Sequence, residues 1–414
     1  MSNWKIKTSL FLNYFVFAIL LNSVGTVILQ VQNSYGVTEG QASVLEGFKD
    51  LTIAIVSFLV SSYITRIGYK RAMLIALGFV TVVCFIMPLT NSFFATKLLF
   101  AAVGAGFTLI KMSVYSTIGL VTRNEKEHIS LMNFIESFFM IGILTGYFIF
   151  GYFVDSNDPG SGAWVKVYYL LGCISLLAFL LLLASPLDES SIRNTQPASM
   201  VEDFGKMFTL MVKPVVLVFI CCAFFYVLIE QSIMSWLPTF NNKVLLLPAA
   251  LSIQMTSILA GSTALGRFFA GVVLKKLNWF LVLFVCVLLS AALVLVAIPL
   301  AKNVSGQPIS GWSSAPLAAF IFPLIGLLIA PIYPAINSVI LSTLPKPQHG
   351  LMSGLIIIFS ALGGTTGSII TGHIFQAYGG EKAFYFSLIP MTILITCLFL
   401  FRRLQKKTEP AVAP

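Results

Sequence analysis

Residues 279–300 read WFLVLFVCVLLSAALVLVAIPL, an apolar run without a single charged side chain. A helix needs about 20 apolar residues to cross the hydrocarbon core of a bilayer, and this run has that length. A transmembrane strand would instead be about ten residues of alternating character. The run does not alternate, so it reads as a membrane-spanning helix.

Working outward, runs of the same kind recur at 9–31, 41–65, 72–90, 94–121, 129–154, 166–186, 213–238, 249–274, 316–342, 350–375 and 383–401. With 279–300 they make twelve. The whole composition agrees, since 58% of the 414 residues are hydrophobic and only 10% are charged, and the mean hydropathy is +0.95. A soluble domain carries about 25% charged residues. This excludes a soluble enzyme, a secreted scaffold and a disordered chain. Twelve spans leave no room for a sizeable soluble domain. The sequence therefore predicts an all-α membrane protein with twelve transmembrane helices. Met1–Lys7 leads into a long apolar run without a clear small-residue cleavage site, so that run reads as a retained first span.

The charge distribution orients these spans. With both termini cytoplasmic, seventeen Lys and Arg residues fall on the inner side and five on the outer side. Lys49, Lys111 and Arg267 remain within the membrane. Such a bias follows the positive-inside rule. The net charge of +10 is thus explained by topology, and no nucleic-acid partner is expected. The six cysteines all lie in apolar runs without metal-ligand spacing and read as small buried hydrophobes. No cofactor or metal is expected. No phosphate-binding glycine loop is present, which argues against an ATP-driven pump. A channel would favour a pore loop or a ring of like charges, and neither is visible.

The longest polar stretch, 187–212, divides the chain into an N-terminal half, 1–186, and a C-terminal half, 213–414, each with six spans. The halves repeat weakly. Ser61–Arg71 follows span two where Gly271–Leu277 follows span eight, and Leu131-Met132 opens span five where Leu351-Met352 opens span eleven. Ser61–Arg71, with Arg66, Gly68 and Arg71, resembles the loop motif Gly-x-x-x-Asp-Arg-x-Gly-Arg/Lys of the major facilitator superfamily. Ser61 replaces its first glycine and Thr65 its aspartate. The resemblance extends over essentially the whole chain and implies two pseudo-symmetric six-helix halves, with Arg66, Gly68 and Arg71 as gating residues. Tyr226–Leu237 resembles the seventh helix of the fucose–galactose–glucose:proton symporters. Leu21-Asn22-Ser23 resembles their first-helix Leu-Asn-Asp, and Asn133–Phe138 their fifth-helix Asn-x-x-Gln-x-Phe. Ser23 stands where that branch has an aspartate. Leu109 and Lys111 lie where it has an acidic residue, and Glu136 where it has glutamine.

Charges inside a membrane are costly and usually face a bundle interior or a wet cavity. Three carboxylates are therefore candidates for proton coupling: Glu136 in span five, Asp50 in span two and Glu230 in span seven. Lys111 shares a helical face with Thr108 and Tyr115, and pairing Lys111 with Glu136 would be the least costly way to carry both charges. In span two, Lys49 is spaced to reach Glu46 but not its neighbour Asp50; Glu46, near the outer end, reads as solvated. Asn22, Lys111, Tyr115, Asn133, Gln231, Trp236, Tyr333 and Asn337 are the candidate substrate contacts, because aromatic faces and amide groups suit a sugar. Arg267 reads as a brace of the inner gate. The prolines of span ten, Pro323, Pro331 and Pro334, imply kinks, while the glycines of span eleven read as packing residues. The expectation is a monomeric secondary transporter importing a small polar, sugar-like solute with protons. Efflux of amphiphilic or anionic compounds is the alternative, and a channel the weaker rival. The expected location is a plasma membrane, crossed many times; in a bacterium this is the inner membrane.

Overall fold

The computed structural model describes residues 4–61, 64–122, 125–155, 157–189, 200–274, 276–302, 309, 311–345 and 348–408. The helices run α1 (Trp4–Asn22), α2 (Val24–Tyr35), α3 (Glu39–Ala42), α4 (Val44–Ser61), α5 (Ile64–Ile67), α6 (Tyr69–Thr90), α7 (Phe93–Val121), α8 (Glu125–Phe153), α9 (Val167–Leu183) and α10 (Met200–Met211). They continue as α11 (Pro214–Met234), α12 (Leu237–Lys243), α13 (Ala249–Val273), α14 (Trp279–Lys302), α15 (Ala318–Ile321), α16 (Ile325–Ile329), α17 (Ile332–Thr343), α18 (His349–Tyr378), α19 (Gly380–Phe386) and α20 (Leu388–Thr408). No strand occurs among the described residues.

Eleven helices among the described residues are long and apolar enough to cross a membrane. The remaining expected span coincides with α4, which carries Glu46, Lys49 and Asp50 within two turns. In α14, the helix of the opening run, Leu283, Val287, Val294 and Ile298 are buried while Leu281, Val285, Leu288 and Leu295 are exposed. A helix that is apolar on its exposed side as well is matched to lipid rather than to water.

Packing divides the chain into two compact units. One comprises Met1–Thr38 with Val44–Ala198, and the other Glu39–Ser43 with Ser199–Pro414. In the first unit α1 packs on α8, and α7 packs on both α4 and α6. Small residues permit these approaches. A Cβ at Gly104 would run into the Lys49 carbonyl, and one at Gly142 would lie 2.7 Å from the Phe15 carbonyl oxygen. In the second unit the closest packing is α11 on α18, where Gly363 and Gly367 lie against the carbonyls of Phe224 and Leu228. The glycines of span eleven thus serve helix approach, the packing role read from the sequence.

Several spans are broken. Span ten becomes α15, a 3-10 turn at Phe322–Leu324, α16 and α17. The breaks fall at Pro323 and Pro331, as a missing N–H and a fixed φ require. Pro334 is accommodated in the first turn of α17. Span seven ends at Met234 and resumes as α12 with Pro238 in its first turn. Span one is interrupted at Ser23, a break the uninterrupted apolar pattern does not signal. Within the polar stretch 187–212, residues Met200–Met211 form α10.

Candidate functional site

In the first unit α7 and α8 bring Tyr115 and Glu136 together, and the Tyr115 hydroxyl donates to Glu136 Oε1 at 2.6 Å. The Tyr115 ring lies 6.1 Å from that of buried Tyr14, and Phe139 joins Tyr14 to Phe107 in one aromatic cluster. Lys111 Nζ stands 5.7 Å from the Phe107 ring centre and 5.9 Å from that of Tyr115. These distances place the ammonium over aromatic faces, a favourable position for a cation. Glu136 is thus held by Tyr115, a partner that the sequence reading did not assign to it. Helical geometry accounts for this: Tyr115 is one turn beyond Lys111 on the same face.

Also in the first unit, α1, α2 and α8 border a small cavity of about 10 Å³ lined by Asn22, Ser23, Thr26 and Tyr147 together with Ile19, Ile143, Gly146 and Phe150. The Asn22 amide nitrogen donates to the Ala18 carbonyl at 2.9 Å. The buried Ser23 hydroxyl donates to the Leu20 carbonyl.

The charges of α4 depart from the sequence reading in two respects. Glu46 is fully buried rather than solvated, because α7 and α2 both pack on α4. Lys49 reaches Glu46 and also approaches Asp50 Oδ1 at 3.4 Å. The sequential neighbour is within range because a long flexible ammonium can turn toward either side of its own helix.

In the second unit α11 carries Tyr226 and Glu230 one turn apart, and the Tyr226 hydroxyl donates to Glu230 Oε1 at 2.8 Å. Tyr226 stacks on Tyr333 of α17 at 5.5 Å and 20°. The Tyr333 hydroxyl is 2.9 Å from Ser360 Oγ on α18. One turn along α17, Asn337 keeps a buried carbonyl oxygen without a partner among the described residues. Arg267 of α13 is exposed and within electrostatic reach of Tyr226. Gln231 is half-buried and accepts from Ser235 at 3.3 Å. Trp236 is differently employed. It is fully buried, its indole N–H bonds Ser368, and its ring closes on Gly372. This places it as a packing post, without an open face for a ligand.

At the loop after span two, Gly68 adopts φ +88°, a conformation that favours glycine. The Glu189 carboxylate fills the space beside it, 2.8 Å from where a Cβ would stand, and accepts from the Lys70 backbone N–H at 2.9 Å. Glu189 thereby caps the N-terminus of α6, satisfying an otherwise orphaned donor. Lys70 Nζ holds the carbonyls of Ser185 and Leu183. Arg71 is exposed. The side chains of Arg66 and Asn133 lie outside the described residues.

Tyr226, Ser360, Tyr147 and Glu189 are not among the residues singled out from the sequence. The one-turn spacing of Tyr226 and Glu230 is a usable signal; the other three act through contacts distant in sequence.

No curated protein sequence matches this chain. Solved structures do. A bacterial homologue of the human lysosomal transporter Spinster, inward-facing and occupied, superposes with a TM-score of 0.80 at 15% identity, covering 99% of this chain and 98% of that one. The D-xylose-proton symporter gives a TM-score of 0.75 at 13% identity, over 98% and 99% of the two chains. The nucleoside transporter NupG gives 0.73 at 13% identity, over 98% and 100%. At such identities the likeness establishes a shared fold. The sequence profile of the Major Facilitator Superfamily matches residues 10–322. With that match over most of its length, and with its membrane-spanning helices arranged as in solved transporters, this chain belongs to the Major Facilitator Superfamily and is a transporter, not an enzyme.

Proposed function

We propose that this chain is a proton-coupled secondary transporter that imports a small polar, sugar-like solute by alternating access. The observation that carries the reading is the half-buried Tyr333 ring, backed by buried Tyr226 beside Glu230, with the unsatisfied Asn337 carbonyl oxygen one turn away. The half-buried Tyr333 ring offers an apolar face for the CH side of a sugar, and a carboxylate and an amide oxygen accept hydrogen bonds from its hydroxyls. Asn22, Tyr115 and Glu136 supply comparable groups in the first unit. A buried acceptor left unpaired is costly, and a solute hydroxyl would satisfy it. The similar structures include one sugar–proton symporter and one nucleoside transporter, and sugars and nucleosides alike carry hydroxylated rings. Proton coupling draws on the membrane-embedded carboxylates Glu136, Asp50 and Glu230. The protein lies in a plasma membrane as a monomer with both termini cytoplasmic, so reagents added outside intact cells should not label cysteines placed in 187–212.

Lys111, held over Phe107 and Tyr115, favours a second reading in which the cargo is an anionic compound and the direction is efflux. Proteoliposomes with an imposed inward proton gradient separate the two. Accumulation of a monosaccharide or nucleoside that collapses with a protonophore supports the first. Thermal stabilisation of the purified protein by organic anions alone, with no uptake of neutral solutes, supports the second.

A further inference from the structure

α10 presents three flanks of different character. Met207 and Leu210 are buried, and the Met207 Sδ and Cε lie 3.6 and 3.4 Å from where a Cβ on Gly354 of α18 would stand. Phe208 and Val212 are one turn apart on a second flank and are 59% and 60% exposed. The Val212 N–H bonds the Phe208 carbonyl, so the helical turn extends to this pair. Lys206 and Lys213, two turns apart and so on one side, are exposed on the third flank. Lys213 Nζ donates to the neutral Gln348 Oε1 at 3.3 Å. The acidic residues of α10, Glu202 and Asp203, are confined to its first turn, where a helix N-terminus favours negative charge.

The depth of α10 decides what these flanks meet. Gly354, its neighbour, belongs to the membrane-crossing part of α18, Leu351–Tyr378, and at 1.5 Å per residue lies about 5 Å past the start of that segment. α11 begins directly after α10. Lys213 between them is extended, with φ −65° and ψ 129°, and Pro214 takes the first position of α11. An extended residue between two helices turns the chain, so α10 does not prolong α11 into water. It lies at the bilayer boundary where α11 and α18 begin. An aligned Phe and Val exposed there are costly against water and favourable against acyl chains. Lysine stems are long enough to reach from that depth to lipid phosphates.

We infer that α10 docks on the lipid bilayer itself. Phe208 and Val212 insert among the acyl chains of the leaflet at which α11 and α18 begin, and Lys206 and Lys213 engage the phosphates of anionic lipids. Through Met207 on Gly354 the same helix ties this lipid contact to span eleven. The docking depends neither on the cargo nor on the coupling ion.

Tryptophan fluorescence of the full chain in nanodiscs tests the insertion, read as the emission added to that of the five native tryptophans. With acyl chains brominated near the glycerol, at least about half of the emission added by Phe208→Trp, or by Val212→Trp, should be quenched. Emission added by Thr209→Trp, exposed between the apolar and basic flanks, should be quenched clearly less. No quenching at 208 and 212, or quenching as strong at 209, overturns the insertion. Hydrogen exchange tests the headgroup contact. The α10 amides should exchange about five-fold more slowly in nanodiscs containing phosphatidylglycerol than in phosphatidylcholine alone. Lys206→Gln combined with Lys213→Gln should remove that difference, and inorganic phosphate added to phosphatidylcholine nanodiscs should not reproduce it. Equal exchange in the two lipids, a difference that persists in the double variant, or protection by inorganic phosphate overturns the anionic-lipid contact.

Discussion

Both units contain a tyrosine that donates to a glutamate, but they build the pair differently. In the first unit Tyr115 and Glu136 come from two spans, α7 and α8. In the second, Tyr226 and Glu230 are one turn apart on α11. A local pair moves with its helix and survives any shift of its neighbours. A cross-span pair breaks as soon as α7 and α8 slide or tilt. The first arrangement can therefore report helix movement, whereas the second keeps a carboxylate in a fixed orientation beside the Tyr333 ring. The aromatic supports differ in the same sense, a dispersed cluster around Tyr115 against one parallel stack at Tyr226.

The largest expected effect tests how tightly the first unit is bound around its buried charges. Gly104→Val should destabilise the protein by about 3 kcal/mol, since the side chain has no space against the Lys49 backbone and overpacking typically costs about 1–3 kcal/mol. Gly271→Val, where nothing approaches the site of a Cβ, should stay within about 0.5 kcal/mol. Thermal unfolding in detergent measures both. Equal losses at the two positions would remove the close crossing of α4 and α7 from the account.

The next effect addresses the pairs themselves. Tyr115→Phe deprives Glu136 of a charge-assisted hydrogen bond between spans and should cost about 1.5–3 kcal/mol. Tyr226→Phe should cost less, about 1 kcal/mol, because Glu230 keeps its place on the same helix. A double-mutant cycle on Tyr115 and Glu136 should give a larger coupling than one on Lys111 and Glu136. The reverse order would make Lys111 the stronger partner of Glu136. The smallest effect concerns the α6 cap. Glu189→Gln keeps an acceptor but loses the charge at the helix N-terminus, and should lower stability by about 0.3–1 kcal/mol. Raising the salt concentration should shrink that difference in thermal unfolding.

The membrane class, the twelve apolar runs and the family were legible because each depends on composition and on order along the chain. Helix kinks at Pro323 and Pro331 were legible for the same reason, proline being a local constraint. The Lys49–Glu46 contact followed from spacing on one helix. The misreadings share a cause. The pattern of α4 suggested a solvated Glu46, and packing by helices distant in sequence buries it. Trp236 looked like a ligand platform in its own segment, and its partner Ser368 lies 132 residues away. Thr65 stands where the superfamily motif has an acid, while a carboxylate reaches the start of α6 from Glu189, 119 residues beyond Lys70.

The sequence by itself determined that this chain lives in a bilayer, how many times it crosses and which residue types it can spend there, because partition between water and hydrocarbon is additive along the chain. Only the tertiary structure decided which charges meet which partners. Glu136 takes Tyr115, Lys49 serves two carboxylates, and Tyr226 lies against Tyr333. These choices depend on distances of a few ångströms between helices remote in sequence, set by where glycines let backbones touch, and apolar periodicity carries no information at that scale.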